Sequence, residues 1–157
     1  GLYWRGGVWA CTNYLVLKGL MKLGYYDYAY ELAKKHNACI VGMFEKTGTL
    51  WECSAPDEME LSRPSAPEFV GWAALSVTSD VFEFVFGITP DPLAGKITWN
   101  VNLTEEHGVN KYPFAGQLLN IRCKKRNSSD EEPEITVTGG HAEVVVKWNG
   151  KEKTLKF

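Results

Sequence analysis

Thr47-Gly48-Thr49-Leu50-Trp51-Glu52-Cys53-Ser54-Ala55-Pro56-Asp57 follows a long helical pattern and leads into an acidic, proline-containing loop. Gly48 supplies the left-handed residue that commonly ends a helix, so Glu52 is expected on a helix-to-loop exit beside Trp51. A carboxylate next to an indole, in a loop held by rigid helices, has the chemistry of a catalytic base in a sugar site. The carboxylate can take a proton from water, and the ring can pack on the C–H face of a sugar. The same pair also fits a half-buried ring beside a solvated charge, because charged side chains are mostly exposed.

Upstream, the pattern turns helical from Val8, with Thr12 or Asn13 able to cap and Leu15, Val16, Leu20 and Leu23 as apolar positions. Gly24 is the expected stop, and Gly19 inside the helix predicts close packing by a neighbouring helix. A second helix is predicted from Asp27, with Ala29, Leu32, Ala33, His36, Ile40, Met43 and Phe44 on one stripe. His36 on that stripe reads as a hydrogen-bonded core or interface histidine rather than a catalyst. Beyond a loop holding Pro56, Pro64 and Pro67, a third helix is expected from Glu68 to Phe86. Val70, Ala73, Ala74, Val77, Val81, Phe84 and Val85 load one side of it, and Trp72, Leu75, Phe82 and Phe86 the other. Such a helix needs neighbours on most sides.

Thr89-Pro90-Asp91-Pro92 breaks the helical pattern and predicts a boundary, with residues 1–92 helical and 93–157 a β lobe. After it the period falls to two. Ile97, Trp99, Val101 and Leu103 alternate with polar residues, as do Leu119, Ile121 and Cys123, then Ile135 and Val137, then Val144 and Val146. Asn149-Gly150 is a two-residue hairpin signal. The tail is therefore expected to be antiparallel, a small sandwich. The polar run from Asn127 to Pro133 reads as a solvated loop, and Lys124, Lys125 and Arg126 as a solvated strand edge.

Composition narrows the function. The 157 residues are 45% apolar and 23% charged, an ordinary globular balance, with a net charge of -2. Such a balance offers no basic field for nucleic acid or an anionic membrane, so neither is expected as a partner. Six Trp and seven Tyr favour carbohydrate without deciding it. Cys11, Cys39, Cys53 and Cys123 lack CxxC spacing and form no metal-ligand pattern with His36, His107 or His141, so no metal and no cofactor are expected. The cysteines read as reduced, which favours a cytoplasmic over a secreted setting, and the sequons at Asn102 and Asn127 do not by themselves establish secretion. The chain starts without Met and almost inside a motif, so it is expected to be a piece of a longer protein.

Tyr3-Trp4-Arg5-Gly6-Gly7-Val8-Trp9, followed by Thr12-Asn13-Tyr14, resembles the Tyr-Trp-Arg-Gly-Pro-Val-Trp signature of glycosidases related to glycoside hydrolase family 63 and to mannosylglycerate hydrolases. Gly48 to Glu52 with Pro56-Asp57 resembles their Trp-Glu-Asn-Tyr-Ser-Pro-Glu segment, and Phe69-Val70-Gly71-Trp72 the Phe-x-Trp entry to their last barrel helix. Trehalases are a more distant likeness. The resemblance covers residues 3–88 in order and leaves the β tail unexplained.

It implies an α+β chain: C-terminal helical hairpins of an (α/α)6 toroid followed by a small antiparallel β-sandwich lobe. The implied activity is inverting hydrolysis of an α-linked glycoside, as in an α-glucosidase or α-mannosidase. Two carboxyl groups then lie roughly 6.5 to 9.5 Å apart, with water between sugar and base. Glu52 matches the base, and the acid lies outside this chain. Tyr3, Trp4, Arg5, Trp51 and Trp72 match sugar-binding positions. The implied partners are a carbohydrate substrate and the remainder of the toroid or another copy of the chain, and the isolated chain is expected to be inactive. Gly7 replaces the family's Pro, and Cys53-Ser54-Ala55 replaces Asn-Tyr-Ser after the base. These departures fit either a widened pocket or lost activity. The alternatives are a non-catalytic carbohydrate-binding or structural toroid protein, and an unrelated helical domain with a β tail.

Overall fold

The computed structural model describes residues 2–57 and 65–157; the loop expected around Pro64 lies partly outside these residues. The chain is α+β and forms two compact units, Gly1–Phe84 and Val85–Phe157.

In the first unit, α1 (Ala10–Lys22) packs on α2 (Tyr26–Thr47) and on a 3-10 turn at Gly71–Leu75. Helix α1 begins two residues before the expected cap. Trp9 takes the N-cap position, Thr12 bonds back to the Trp9 carbonyl (3.0 Å), and the Asn13 amide is used elsewhere. Its end is a Schellman closure: the Tyr25 N–H reaches the Leu20 carbonyl and the Gly24 N–H that of Met21, with Gly24 at φ 83°.

The buried face of α1 is set by Ala10 and Leu17, while the expected core positions Leu15, Val16 and Leu23 are exposed. Apolar spacing alone does not say which side of a helix meets its neighbour. Gly19 is likewise exposed, and among the described residues nothing packs within 4 Å of where its Cβ would be, so the expected close helix packing is not seen among them. On α2, Ala29, Ala33, His36, Ile40 and Met43 form the buried stripe as expected, but Phe44 is half exposed.

The third helix is not regular. A 3-10 turn at Gly71–Leu75 leads through a bend into a π-helical turn at Val81–Val85, and burial is confined to Ala73, Ser76, Asp80 and Phe84. Three of these four residues precede the widened turn, and together they make one buried face where two were expected.

The second unit holds seven strands: β1 (Ile88–Asp91), β2 (Lys96–Asn100), β3 (His107–Phe114), β4 (Gln117–Cys123), β5 (Ile135–Thr138), β6 (Glu143–Trp148) and β7 (Lys151–Lys156). They form one sheet ordered β1-β2-β6-β7 and another ordered β3-β4-β5. Inward residues of both sheets, among them Ile97, Trp99, Leu119, Ile121, Val144 and Val146, share one core.

Helical structure stops at Val85, a few residues before the expected break, and Ile88–Asp91 is already an edge strand, a position where proline is tolerated because no ladder N–H is needed. The expectation of a wholly antiparallel tail is also corrected, since β2 and β6 run parallel. Strand β3, with Gly108, Lys111 and Pro113 interrupting its alternation, escaped the periodicity, and its register shifts between Val109 and Tyr112. Asn149 and Gly150, at φ 40° and 72°, form the predicted tight turn between β6 and β7.

Arg126 is not a solvated edge residue. It is 3% exposed and donates to the carbonyls of Ser129, Glu131, Val101 and Leu103 at 2.8–3.2 Å. Lys124 and Lys125 are exposed and pair with Glu134 and Glu105.

Candidate active site

Gly48, at φ 75°, closes α2 and turns the chain into the segment that carries Glu52. Trp51 anchors this exit. It is 9% exposed and packs with Ile40 and Met43 in the core of the helical unit, so its ring faces the core and not an open sugar-binding surface. The half-buried Glu52 side chain points the other way and accepts two hydrogen bonds. The Tyr3 hydroxyl donates to Oε1 (3.1 Å) and the Ala66 N–H to Oε2 (2.9 Å). The Glu52 N–H returns a bond to the Ala66 carbonyl (3.3 Å), and the Ser65 hydroxyl meets the Cys53 N–H (3.3 Å). Ser65 and Ala66 thus run beside Glu52 and Cys53 as a short support. Among the described residues each carboxylate oxygen accepts one side-chain or backbone bond, and a carboxylate oxygen can take a second.

The N-terminal motif reaches the same place through a backbone bridge. Val8 and Ser54 exchange N–H to carbonyl bonds at 2.8 and 3.0 Å, which fixes Tyr3 to Trp9 against the Glu52 loop. Leu2 and Arg5 close a tight turn in which Tyr3 takes φ 53°. Trp9 is buried at the centre of an aromatic cluster. Trp4 stacks on it with centroids 3.6 Å apart and planes parallel within 1°, Tyr3 meets it edge-on at 4.8 Å, and Trp72 edge-on at 5.8 Å. Trp4 and Trp72 stay 56% and 43% exposed, and Arg5 is exposed. Tyr3 thus links the Glu52 carboxylate to an aromatic cluster whose outer rings, Trp4 and Trp72, are open to solvent. Interaction with Glu52 raises the Tyr3 phenol above its ordinary pKa.

Residues 1–80 match the family described as glycosyl hydrolase family 63 C-terminal domain. The chain belongs to glycosyl hydrolase family 63. No curated protein and no solved structure matches it. Within this family 63 chain the match spans the Tyr3 to Trp9 motif, the Glu52 loop and Trp72, which the helical unit brings together.

Sequence reasoning missed Trp9 as the organiser of the cluster and Ser65-Ala66 as the second support of Glu52. The Trp9 spacing in the motif was a signal for the first; the second depends on a chain return that local patterns do not encode.

A separate polar cluster lies inside the helical unit. His36 Nδ1 accepts from the Asn13 amide (3.0 Å), so Nε2 carries the proton and faces Ser76 Oγ (2.7 Å). Asp80, 0% exposed, has Oδ2 4.0 Å from the same Nε2, and neither of its carboxyl oxygens has a hydrogen-bond partner among the described residues. Burial lowers His36 to about 4; burial first, and then the Glu83 charge, raises Asp80 to about 7. Glu83 itself accepts from Tyr14 and Lys18. The His36 cluster is closed to solvent and ties α1, α2 and the 3-10 turn together, in keeping with the core role expected for His36. Among the described residues no group of three or more His, Cys, Asp or Glu could hold a metal ion, and no helix is long and apolar enough to cross a membrane.

Proposed function

We propose that this chain carries the general base, Glu52, of an inverting glycoside hydrolase acting on α-linked glycosides of the α-glucosidase or α-mannosidase kind. One observation carries the proposal. The Glu52 carboxylate is half-buried and held at both oxygens by Tyr3 and Ala66, and Tyr3 in turn meets the exposed Trp4 ring edge-on. Such a group can deprotonate a water aligned with the anomeric carbon without reorganising first. Trp4 and Trp72 offer ring faces for a pyranose, and Arg5 can donate to hydroxyls or a carboxylate. Trp51 anchors the Glu52 segment from the core and Tyr3 holds its carboxylate.

The acid partner is supplied from outside these residues, and the helical hairpins are part of an (α/α)6 toroid. The exposed Leu15, Val16, Leu23, Val41 and Phe44 support that placement, because helix faces this apolar favour burial against further helices. The test is turnover of a panel of aryl α-glycosides by the complete enzyme against its Glu52→Gln variant. Loss of at least about two orders of magnitude with an unchanged circular dichroism spectrum is the expected outcome. Undiminished turnover by the variant would sink the assignment.

A further inference from the structure

We propose that Tyr3 is a positioning residue for Glu52, held in a strained backbone conformation so that its hydroxyl fixes the carboxylate, rather than a contact to the sugar. The proposal rests on Glu52 being the base. Tyr3 has φ 53°, in the left-handed region that a residue with a Cβ seldom occupies. A local outlier of this kind persists only where its surroundings over-determine it, and such outliers concentrate at functional sites.

Here the surroundings are visible. The Tyr3 carbonyl accepts from the Gly7 N–H (2.9 Å) and from the Trp9 indole N–H (3.3 Å), while the Leu2 and Arg5 backbones close the turn across it. The ring meets the stacked Trp4–Trp9 pair edge-on, at 5.9 and 4.8 Å. Two of these constraints act on the Tyr3 carbonyl, one on the turn that encloses its backbone and two on its ring, and the phenol oxygen lies 3.1 Å from Glu52 Oε1.

Ala66 holds the second carboxylate oxygen through its backbone, which a side-chain change cannot remove. Tyr3 is therefore the adjustable half of the clamp. Without its hydroxyl, the carboxylate keeps one anchor and can swing about it. A base displaced by about 1 Å loses roughly two orders of magnitude in rate. Substrate affinity, which depends on Trp4, Trp72 and Arg5 in the proposed site, should change little.

The experiment compares the complete enzyme with its Tyr3→Phe and Glu52→Gln variants on the aryl α-glycoside that the wild type turns over fastest. For Tyr3→Phe, kcat should fall roughly ten- to a hundredfold with KM within about threefold of wild type. A raised KM with unchanged kcat would make Tyr3 a sugar contact and overturn the positioning role. An inactive Glu52→Gln alongside a fully active Tyr3→Phe would overturn the positioning role and leave the base standing. Turnover retained by Glu52→Gln, or none by the wild type, would overturn both.

A readout independent of activity is the titration of ring-labelled tyrosines by carbon NMR, with Tyr3 assigned by its absence in Tyr3→Phe. The Tyr3 phenol should titrate above the ordinary value near 10 in wild type and move back toward it in Glu52→Gln. An identical Tyr3 titration in both would show that the hydroxyl does not hold the carboxylate. If Tyr3→Phe fails to fold, Tyr3→His, which keeps a ring and a donor, replaces it in the kinetic comparison, and partial recovery of kcat is expected.

Discussion

The two units of this chain solve the problem of burial differently. In the β unit, alternation sends Ile97, Trp99, Leu119, Ile121, Val144 and Val146 into one closed core, and each is 1% exposed or less. In the helical unit, Leu17 and Ala33 are fully buried, but Leu15 is 69%, Leu23 73% and Phe44 50% exposed. A sheet that pairs with a second sheet satisfies its apolar face within a short stretch of chain. A pair of long helices has too little surface to cover both stripes, so its apolar residues remain available to further helices. The proposed base lies in the unit that is incomplete by this measure.

The sharpest way to break the comparison is to separate the units. Residues 85–157 alone should unfold in one cooperative transition by near-ultraviolet circular dichroism. Residues 1–84 alone should keep helical far-ultraviolet signal, melt without a sharp transition and bind a hydrophobic dye. A cooperative melt of the helical piece as a monomer would show that its exposed apolar faces need no cover.

Arg126→Ala is expected to produce the next largest effect, about 2–4 kcal/mol lost by urea unfolding, since one buried and three part-buried carbonyl bonds lose their charged donor together. A loss below about 1 kcal/mol would return Arg126 to the solvated role that its basic neighbours suggest. A leucine pair compares the units directly. Leu119→Ala should cost about 2–5 kcal/mol, because it opens a cavity in a closed core, whereas Leu15→Ala should stay within about 0.5 kcal/mol in this chain. In the longer toroid protein proposed above, Leu15→Ala should cost more; equal small costs in both settings would count against a covering helix.

The smallest effect concerns the closed cluster of His36 and Asp80. Asp80 has a folded pKa raised from 3.8 to about 7, so its contribution is fully present below about 4 and lost as pH rises through 7. His36 has a folded pKa lowered from 6.5 to about 4, so its neutral form is favoured, and stability is lost as pH falls from 6.5 through 4. Between about pH 4 and 6.5 the two slopes oppose each other, because folding moves a proton from imidazole to carboxyl without changing the total bound. Wild-type stability should carry little slope from this pair. Asp80→Asn should make stability rise with pH there, and His36→Gln should make it fall, each by at most about 1.4 kcal/mol per pH unit. Unfolding curves at several pH values decide it, and parallel profiles for all three proteins would refute the exchange.

Much of this fold was legible before any coordinates. Period-two alternation placed the inward residues of β2, β4, β5 and β6, and Asn149-Gly150 placed the hairpin, because a pleated strand buried on one face leaves little choice of side chain. Gly24 and Gly48 marked the helix ends for a similarly local reason. Strand β3 was missed where Gly108 and Pro113 interrupt the alternation, and the third helix was misjudged because a π-helical turn has no simple sequence period. Which stripe of α1 would be buried was also beyond local patterns, since Leu15 and Leu17 are equally apolar and only the partner helix distinguishes them.

The same division holds at the candidate site. The sequence by itself determined that Glu52 follows a helix stop beside Trp51 and that Tyr3, Trp4, Arg5 and Trp9 form a motif, and residues 1–80 carry the family's pattern. Only the tertiary structure decided that Trp51 turns into the core, that Trp9 stacks beneath Trp4, and that Tyr3 and Ala66 take one oxygen each of Glu52. Tyr3 and Glu52 are 49 positions apart, and Arg126 reaches back 25 positions to Val101. Local propensity reports what a residue can do within a turn or two of its own chain. The partner that satisfies a buried hydroxyl, carboxylate or guanidinium is chosen by chain returns, which exist only once the fold has closed.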